Sequence, residues 1–288
     1  MHGPLLPALA LLFNALVWGL SWWPFRALQQ HGLHPMWATA MIYLFCTGCL
    51  LLLKPRAWAA LPRQPLLWLL MVASGLTNAG FNWAVTDGDV VRVVLLFYLM
   101  PAWVVLLAWP LLAERPDGAA LGRLALALAG LVVVLKTPHS PWPVPDRLSD
   151  WLALMGGFSF ALTNVLLRRL NQIPGEARML AMFGGGAIVC AVAASLAMAA
   201  GLASAPPALA IGWTVPLAGL SLAFLLGNMA LQYGAARLRA NSTSLIMLSE
   251  VLFASGSAML LGAGSLSQRS LYGGSLILLA ALLSLRTR

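Results

Sequence analysis

The sequence predicts an all-α integral membrane protein with ten transmembrane helices, arranged as two inverted-topology five-helix repeats. Three observations carry that prediction. Of 288 residues, 61% are hydrophobic and 9% are charged, whereas a soluble domain carries about 25% charged residues. This excludes a water-soluble globule and a disordered chain. Apolar runs approaching the roughly 20 residues that cross a bilayer recur ten times along the chain. Finally, Lys and Arg sort by side when ten spans are drawn: twelve fall on the side of the termini and five, Arg26, Arg92, Lys136, Arg147 and Arg269, fall on the other. The positive-inside bias then places both termini in the cytoplasm. The net charge of +9 reports orientation in the bilayer. It does not report a nucleic-acid partner, because the basic residues stand singly or in pairs between apolar runs.

The first run, residues 5–28, exceeds the 7–15 residues or so of a cleaved signal core. It has no basic start and ends in Trp22-Trp23-Pro24-Phe25-Arg26, so it reads as the first span. Runs at 36–53, 65–85, 90–112 and 119–135 complete a first repeat over residues 1–137. The breaks carry loop chemistry, as in Lys54-Pro55-Arg56, Thr86-Asp87-Gly88-Asp89 and Ala205-Pro206-Pro207. Pro138, Pro141, Pro143 and Pro145 cannot continue a helix, and residues 138–147 form a connecting loop. A second repeat, 148–288, carries spans at 151–170, 177–199, 213–233, 243–261 and 271–285. An odd number of spans per half makes the second half enter from the opposite face, as in many secondary transporters. Trp18 to Arg26 parallels Phe160 to Arg168, and Tyr98 to Gly130 parallels Met247 to Ala280.

Polar groups at membrane depth are costly and face the bundle interior or a water-filled cavity. All four histidines, His2, His31, His34 and His139, fall in terminal or loop positions, and of eight acids only Glu250 lies well inside an apolar run. No nucleophile–base pair, paired acids or clustered His ligands are available at depth, so no catalytic residue, metal site or cofactor is expected. Central Lys or Arg for a phosphate-bearing cargo and the charge rings of a channel are missing as well. Cys46-x-x-Cys49 and Cys190 sit in apolar runs with no second pair and no nearby His, and read as packing residues.

What remains at depth is neutral, aromatic and amide-rich. Asn78 and Asn82 share one face of the third span, and Phe224, Asn228 and Gln232 share a face of the eighth. The first span carries Asn14, Trp18 and Trp22, and the sixth carries Gly156, Phe160 and Asn164. Trp103 also lies deeper than the interfacial tryptophans. Such amides either bond helix to helix or line a cavity for a small polar molecule with an apolar side chain. Glu250 has three readings: it binds a substrate ammonium, carries a proton, or bonds neighbouring helices in its protonated form. Pro101 and Gly184-Gly185-Gly186 mark kinks or close packing, with Pro101 the candidate hinge.

Trp18-Gly19, Pro101 followed thirteen residues later by Glu114, then Gly122 and Gly130, resemble the EamA-type pattern of the drug/metabolite transporter superfamily. In the second half, Glu250-Val251 stands where that family often has Glu-Pro. Gly262-Ala263 stands in place of Gly-Glu, and Gly273 is consistent with the later glycine. Within the superfamily the chain most resembles the bacterial aromatic amino-acid exporters. The resemblance implies a central cavity lined by the first, third, fourth, sixth, eighth and ninth spans, and alternating access. The expected function is inner-membrane export of aromatic and other neutral amino acids. Trp18, Trp22, Tyr98 and Phe160 would stack on the side chain, with Trp103, Gln232 and Met247 as further candidate binding residues. Asn78, Asn82, Asn164 and Asn228 would bond the carboxylate and amine, and Glu250 would sense the amine or a proton. Efflux of cationic drugs or other small metabolites by the same fold is the alternative, with a non-transporting membrane scaffold as a third reading.

Overall fold

The computed structural model describes residues 5–113, 115, 117–136, 144–235, 237–238, 246–265 and 267–284. Glu114 and Pro116, most of the Pro-rich stretch, the start of the expected ninth span at 243–245 and the last four residues lie outside these. Regular structure among the described residues is helical. In chain order it comprises α1 (Leu5–Leu20), α2 (Trp22–Gln30), α3 (Pro35–Leu53), a 3₁₀ helix (Pro55–Arg63), α4 (Pro65–Asp87), α5 (Val90–Phe97), α6 (Met100–Leu112) and α7 (Gly118–Leu135). After the Pro-rich stretch come α8 (Leu148–Arg169), α9 (Gly175–Ala199), α10 (Ile211–Ala235), α11 (Ser249–Leu260) and α12 (Gln268–Ser284).

Polar caps set several starts. Asp89 accepts from the Arg92 amide at the start of α5, and Asp117 accepts from the Ala120 amide at the start of α7. His34 Nδ1 accepts from the Met36 amide at the start of α3, over 3.2 Å. Burial holds the His34 pKa below its usual value, against the pull of Asp87, so the ring stays neutral and its nitrogen can accept.

Two expected spans are broken within the membrane. The first divides at Ser21, because Pro24 has no N–H to bond the Leu20 carbonyl one turn back. The fourth divides at Tyr98–Leu99, where Pro101 likewise leaves the Phe97 carbonyl without its helical donor. That carbonyl lies against Gly157 of α8, where an added Cβ would come within 2.6 Å of the oxygen. In the second half the chain turns at Leu248, just before α11, although Val251 stands where the family pattern has proline.

Seven helices or end-to-end pairs are long and apolar enough to cross a membrane among the described residues: Leu5–Gln30, Pro35–Leu53, Val90–Leu112, Gly118–Leu135, Leu148–Arg169, Gly175–Ala199 and Ile211–Ala235. Helix α4 is less apolar because it carries Ser74, Thr77, Asn78, Asn82 and Thr86, all buried. The described parts of α11 and α12 have 12 and 17 residues.

Lipid offers no hydrophobic drive between helices, so close backbone approach through small residues holds them together. Helix α4 packs along α8 and α9, α3 along α9, α1 along α10 and α11, and α7 along α12. The α4–α8 crossing runs through Gly80 and Gly156, where a Cβ on Gly80 would lie 2.8 Å from the Gly156 nitrogen. The α7–α12 crossing is reciprocal. A Cβ on Gly130 would meet the Gly273 carbonyl at 2.6 Å, and one on Gly273 would meet the Gly130 carbonyl at 2.7 Å.

Candidate transport site

Aromatic rings run through the middle of the bundle. Trp18 of α1 lies 4.7 Å from Phe224 of α10 and 6.1 Å from Phe81 of α4, measured between ring centroids. Phe81 continues to Phe97 of α5 at 4.8 Å, and Phe97 stacks on Phe160 of α8 at 5.5 Å and 29°. At the other end Phe224 meets Tyr43 of α3 at 6.0 Å. Six helices thus share one chain of rings. Each such contact adds about 0.5–1.5 kcal/mol beyond area burial, and together they present an apolar, π-rich wall.

An acid stands beside this wall. Tyr98, at the α5–α6 break, adjoins Phe97 at 6.1 Å, and its hydroxyl neighbours the Glu250 carboxyl in the first turn of α11. Glu250 is half-buried. The break at Tyr98–Leu99 and the turn at Leu248 set these two side chains opposite each other. Met247, half-buried, lies just before that turn.

The expected site residues divide into groups. Trp18 and Phe160 belong to the ring chain, and Tyr98 and Glu250 form the polar pair. Trp22 is buried, and its Nε1 donates to Ser257 Oγ of α11 over 3.0 Å. Asn164 and Asn228 are half-buried, and each Nδ2 folds back on the carbonyl one turn earlier, Phe160 and Phe224, over 2.9 Å. Asn78 and Asn82 face α3. Tyr43 Oη donates to Asn78 Oδ1 over 2.7 Å, and Asn82 Nδ2 donates to Thr39 Oγ1 over 3.1 Å. Gln232 is exposed one turn beyond Asn228. Trp103 is half-buried edge-on to Phe158 at 5.7 Å, its Nε1 without a partner among the described residues. Asn14 is fully buried against Gly227 of α10, and neither of its amide atoms has a partner there.

Sequence reasoning missed Tyr43, Phe81, Phe97 and Ser257. In an apolar span an aromatic that faces the interior carries no pattern separating it from one that faces lipid.

The end of the bundle that holds the α4–α5 turn is fastened by charge. Arg92 of α5 grips Asp150 of α8 with both Nε and Nη2 at 2.8 Å, and its Nη1 donates to the Val134 carbonyl of α7. Asp146 lies 3.7 Å from the same guanidinium. Asp89 accepts from the Ser265 amide over 2.8 Å. Arg26 of α2 donates to the carbonyls of Thr86 and Gly88, and Gln29 donates to Asp87 over 2.6 Å. Such charge-assisted bonds are about twice as strong as neutral ones. Among the described residues no group of three or more His, Cys, Asp or Glu could hold a metal ion.

Comparison with known proteins agrees with this architecture. A protein of known crystal structure aligns over 96% of this chain and 96% of its own, at a TM-score of 0.56 and 17% identity, which shows a shared fold. No curated protein sequence matches the chain. The EamA-like transporter family matches residues 5–136. Residues 5–136 are therefore similar to a family of multi-pass membrane transporters of the drug/metabolite transporter superfamily.

Proposed function

We propose that the chain is a secondary transporter of the bacterial inner membrane that exports aromatic and other neutral amino acids by alternating access. The observation that carries the reading is the ring chain from Tyr43 to Phe160 with one carboxyl, Glu250, beside it next to Tyr98. A zwitterion with an aromatic side chain matches that pairing. Its ring lies against Trp18 and Phe160, its ammonium meets Glu250, and its carboxylate takes donors from the amides of Asn164 and Asn228. Asn78 and Asn82 hold the third span against the second.

Two further features support the ten-helix inverted repeat. Exchanging each helix segment with the one five spans away maps the main packing pairs onto one another: α1–α10 onto α4–α8, and α1–α11 onto α5 and α6 against α8. The self-paired contacts α3–α9 and α7–α12 also fit. The positive-inside bias supports cytoplasmic termini and sets the Asp87 end outside.

The test is counterflow of labelled phenylalanine and tryptophan in liposomes holding the purified protein. Saturable exchange, lowered about tenfold or more by Trp18→Ala at subsaturating substrate, is the expected result. Absence of saturable exchange for both amino acids would reject this substrate class. Glu250 also favours a second reading, efflux of organic cations, since a cation over aromatic faces beside a carboxylate is well held. Glu250→Gln abolishes cation transport under that reading. Under the first it weakens amino-acid exchange, which retains its carboxylate and ring contacts.

A further inference from the structure

Helix α2 is a nine-residue segment, Trp22–Gln30, separated from α1 by the break at Ser21. Trp22, Arg26 and Gln29 are spaced i, i+4, i+7 and share one face. Each makes a bond that leaves the helix. Trp22 reaches Ser257 of α11, beside the candidate site. Arg26 reaches the Thr86 and Gly88 carbonyls, and Gln29 reaches Asp87, at the tip between α4 and α5. The Arg26 guanidinium also lies over the Trp22 ring, 5.2 Å from its centroid, so the two contacts are joined through one stacked pair. The same tip is tied to the segment after α11, where the Val90 amide meets the Ala263 carbonyl at 3.4 Å and Asp89 holds Ser265.

We propose that α2 is a pawl, hinged at Ser21, that couples occupancy of the central site to opening of the Asp87 end. While Trp22 is bonded to Ser257, Arg26 is seated over the Trp22 ring and clasps the α4–α5 tip, and that end is shut. A substrate ring that displaces Trp22 from Ser257 tilts α2 about Ser21. The tilt withdraws Arg26 and Gln29 from the tip, and the end opens. Trp22, Ser257, Arg26 and Gln29 are positioning residues in this scheme. It rests on the transport reading for its purpose and on the α2 contacts for its mechanics.

A single reporter cysteine separates the two. Val91 is buried against Gly264 beneath the tip, where a Cβ on Gly264 would meet Val91 Cγ2 at 2.8 Å. Val91→Cys, in a background with Cys46, Cys49 and Cys190 replaced, is titrated with a membrane-impermeant maleimide applied from the Asp87 side. Arg26→Ala raises the labelling rate about tenfold or more, since two charge-assisted bonds are lost. Ser257→Ala, which leaves the tip untouched, also raises it several-fold, and phenylalanine raises the wild-type rate but adds little in Ser257→Ala. Arg168→Ala, at the far end of α8, leaves it unchanged. Unchanged labelling in Ser257→Ala overturns the coupling, and unchanged labelling in Arg26→Ala overturns the latch. If Arg26→Ala does not fold, Arg26→Lys gives the same comparison, with an expected intermediate rate, and a wild-type rate overturns the latch. A response in both variants without any phenylalanine effect or exchange keeps the pawl and rejects the amino-acid reading.

Discussion

Helices α4 and α10 each carry amide groups along one face, yet they sit in different surroundings. In α4, 15 of 23 residues are buried, and in α10, 6 of 25. Asn78 and Asn82 on α4 bond across to α3. On α10, Asn228 bonds its own helix and Gln232 is exposed. The partner explains the difference. Gly185 and Gly186 of α9 let α4 and α3 come close to it, with Gly186 beneath the Tyr43 ring and Gly185 beneath the Met71 backbone. Tyr43 is thereby set to reach Asn78. Helix α10 meets the α1 backbone closely at Gly234, where a Cβ would lie 2.7 Å from the Pro7 carbonyl. The same sequence pattern is a fastening on one helix and an open polar face on the other, because its neighbours decide whether an amide meets a partner or a space.

The sharpest way to break this comparison is to add one methyl group to each region. A Cβ on Gly185 would sit on the Met71 carbonyl oxygen and 2.8 Å from the carbonyl carbon and from Ser74 Oγ. Backbone cannot turn aside as a flexible side chain does. Gly185→Ala is expected to cost about 1–3 kcal/mol or more and to lower the melting temperature in detergent markedly. Gly219 of α10 has nothing within 4 Å, so Gly219→Ala relieves glycine's entropic cost and shifts stability by about 0.5–1 kcal/mol in the favourable direction. Equal losses at both positions would mean that α10 is packed as tightly as α4.

Much of this architecture was legible in the chain. The long apolar helices, the loop chemistry at 86–89 and the single deep acid all follow from the price of placing polar groups in lipid. The breaks needed more. Pro24 and Pro101 were visible, but where the chain yields, at Ser21 and at Tyr98–Leu99, depends on which carbonyl loses its donor. The pairing of Arg92 with Asp150 was hidden because both read as charges at span ends, and 58 residues separate them. The ring chain was hidden for a different reason. A soluble helix marks its inner face by contrast with a polar outer one, but in lipid both faces are apolar, so Phe81 and Phe97 look no different from Phe13 or Phe45, which are exposed.

The smaller effects sharpen the comparison residue by residue. Asn78→Ala leaves the buried Tyr43 hydroxyl without its acceptor, a loss of about 1–3 kcal/mol. Tyr43→Phe costs less, since it removes the donor along with the bond. A double-mutant cycle across the pair is expected to give a coupling near 0.6 kcal/mol and no more than about 1.7, the range found between membrane helices. Asn228→Ala removes no hydrogen bond between helices, so its melting temperature stays within about a degree of wild type, the scale of a few tenths of a kcal/mol. Its effect falls on exchange, where KM for phenylalanine rises several-fold while the maximal rate holds, the signature of a group that binds substrate without favouring one state of the cycle. A stability loss in Asn228→Ala equal to that in Asn78→Ala, with KM unmoved, would make both amides fastenings and leave the α10 face without a ligand role.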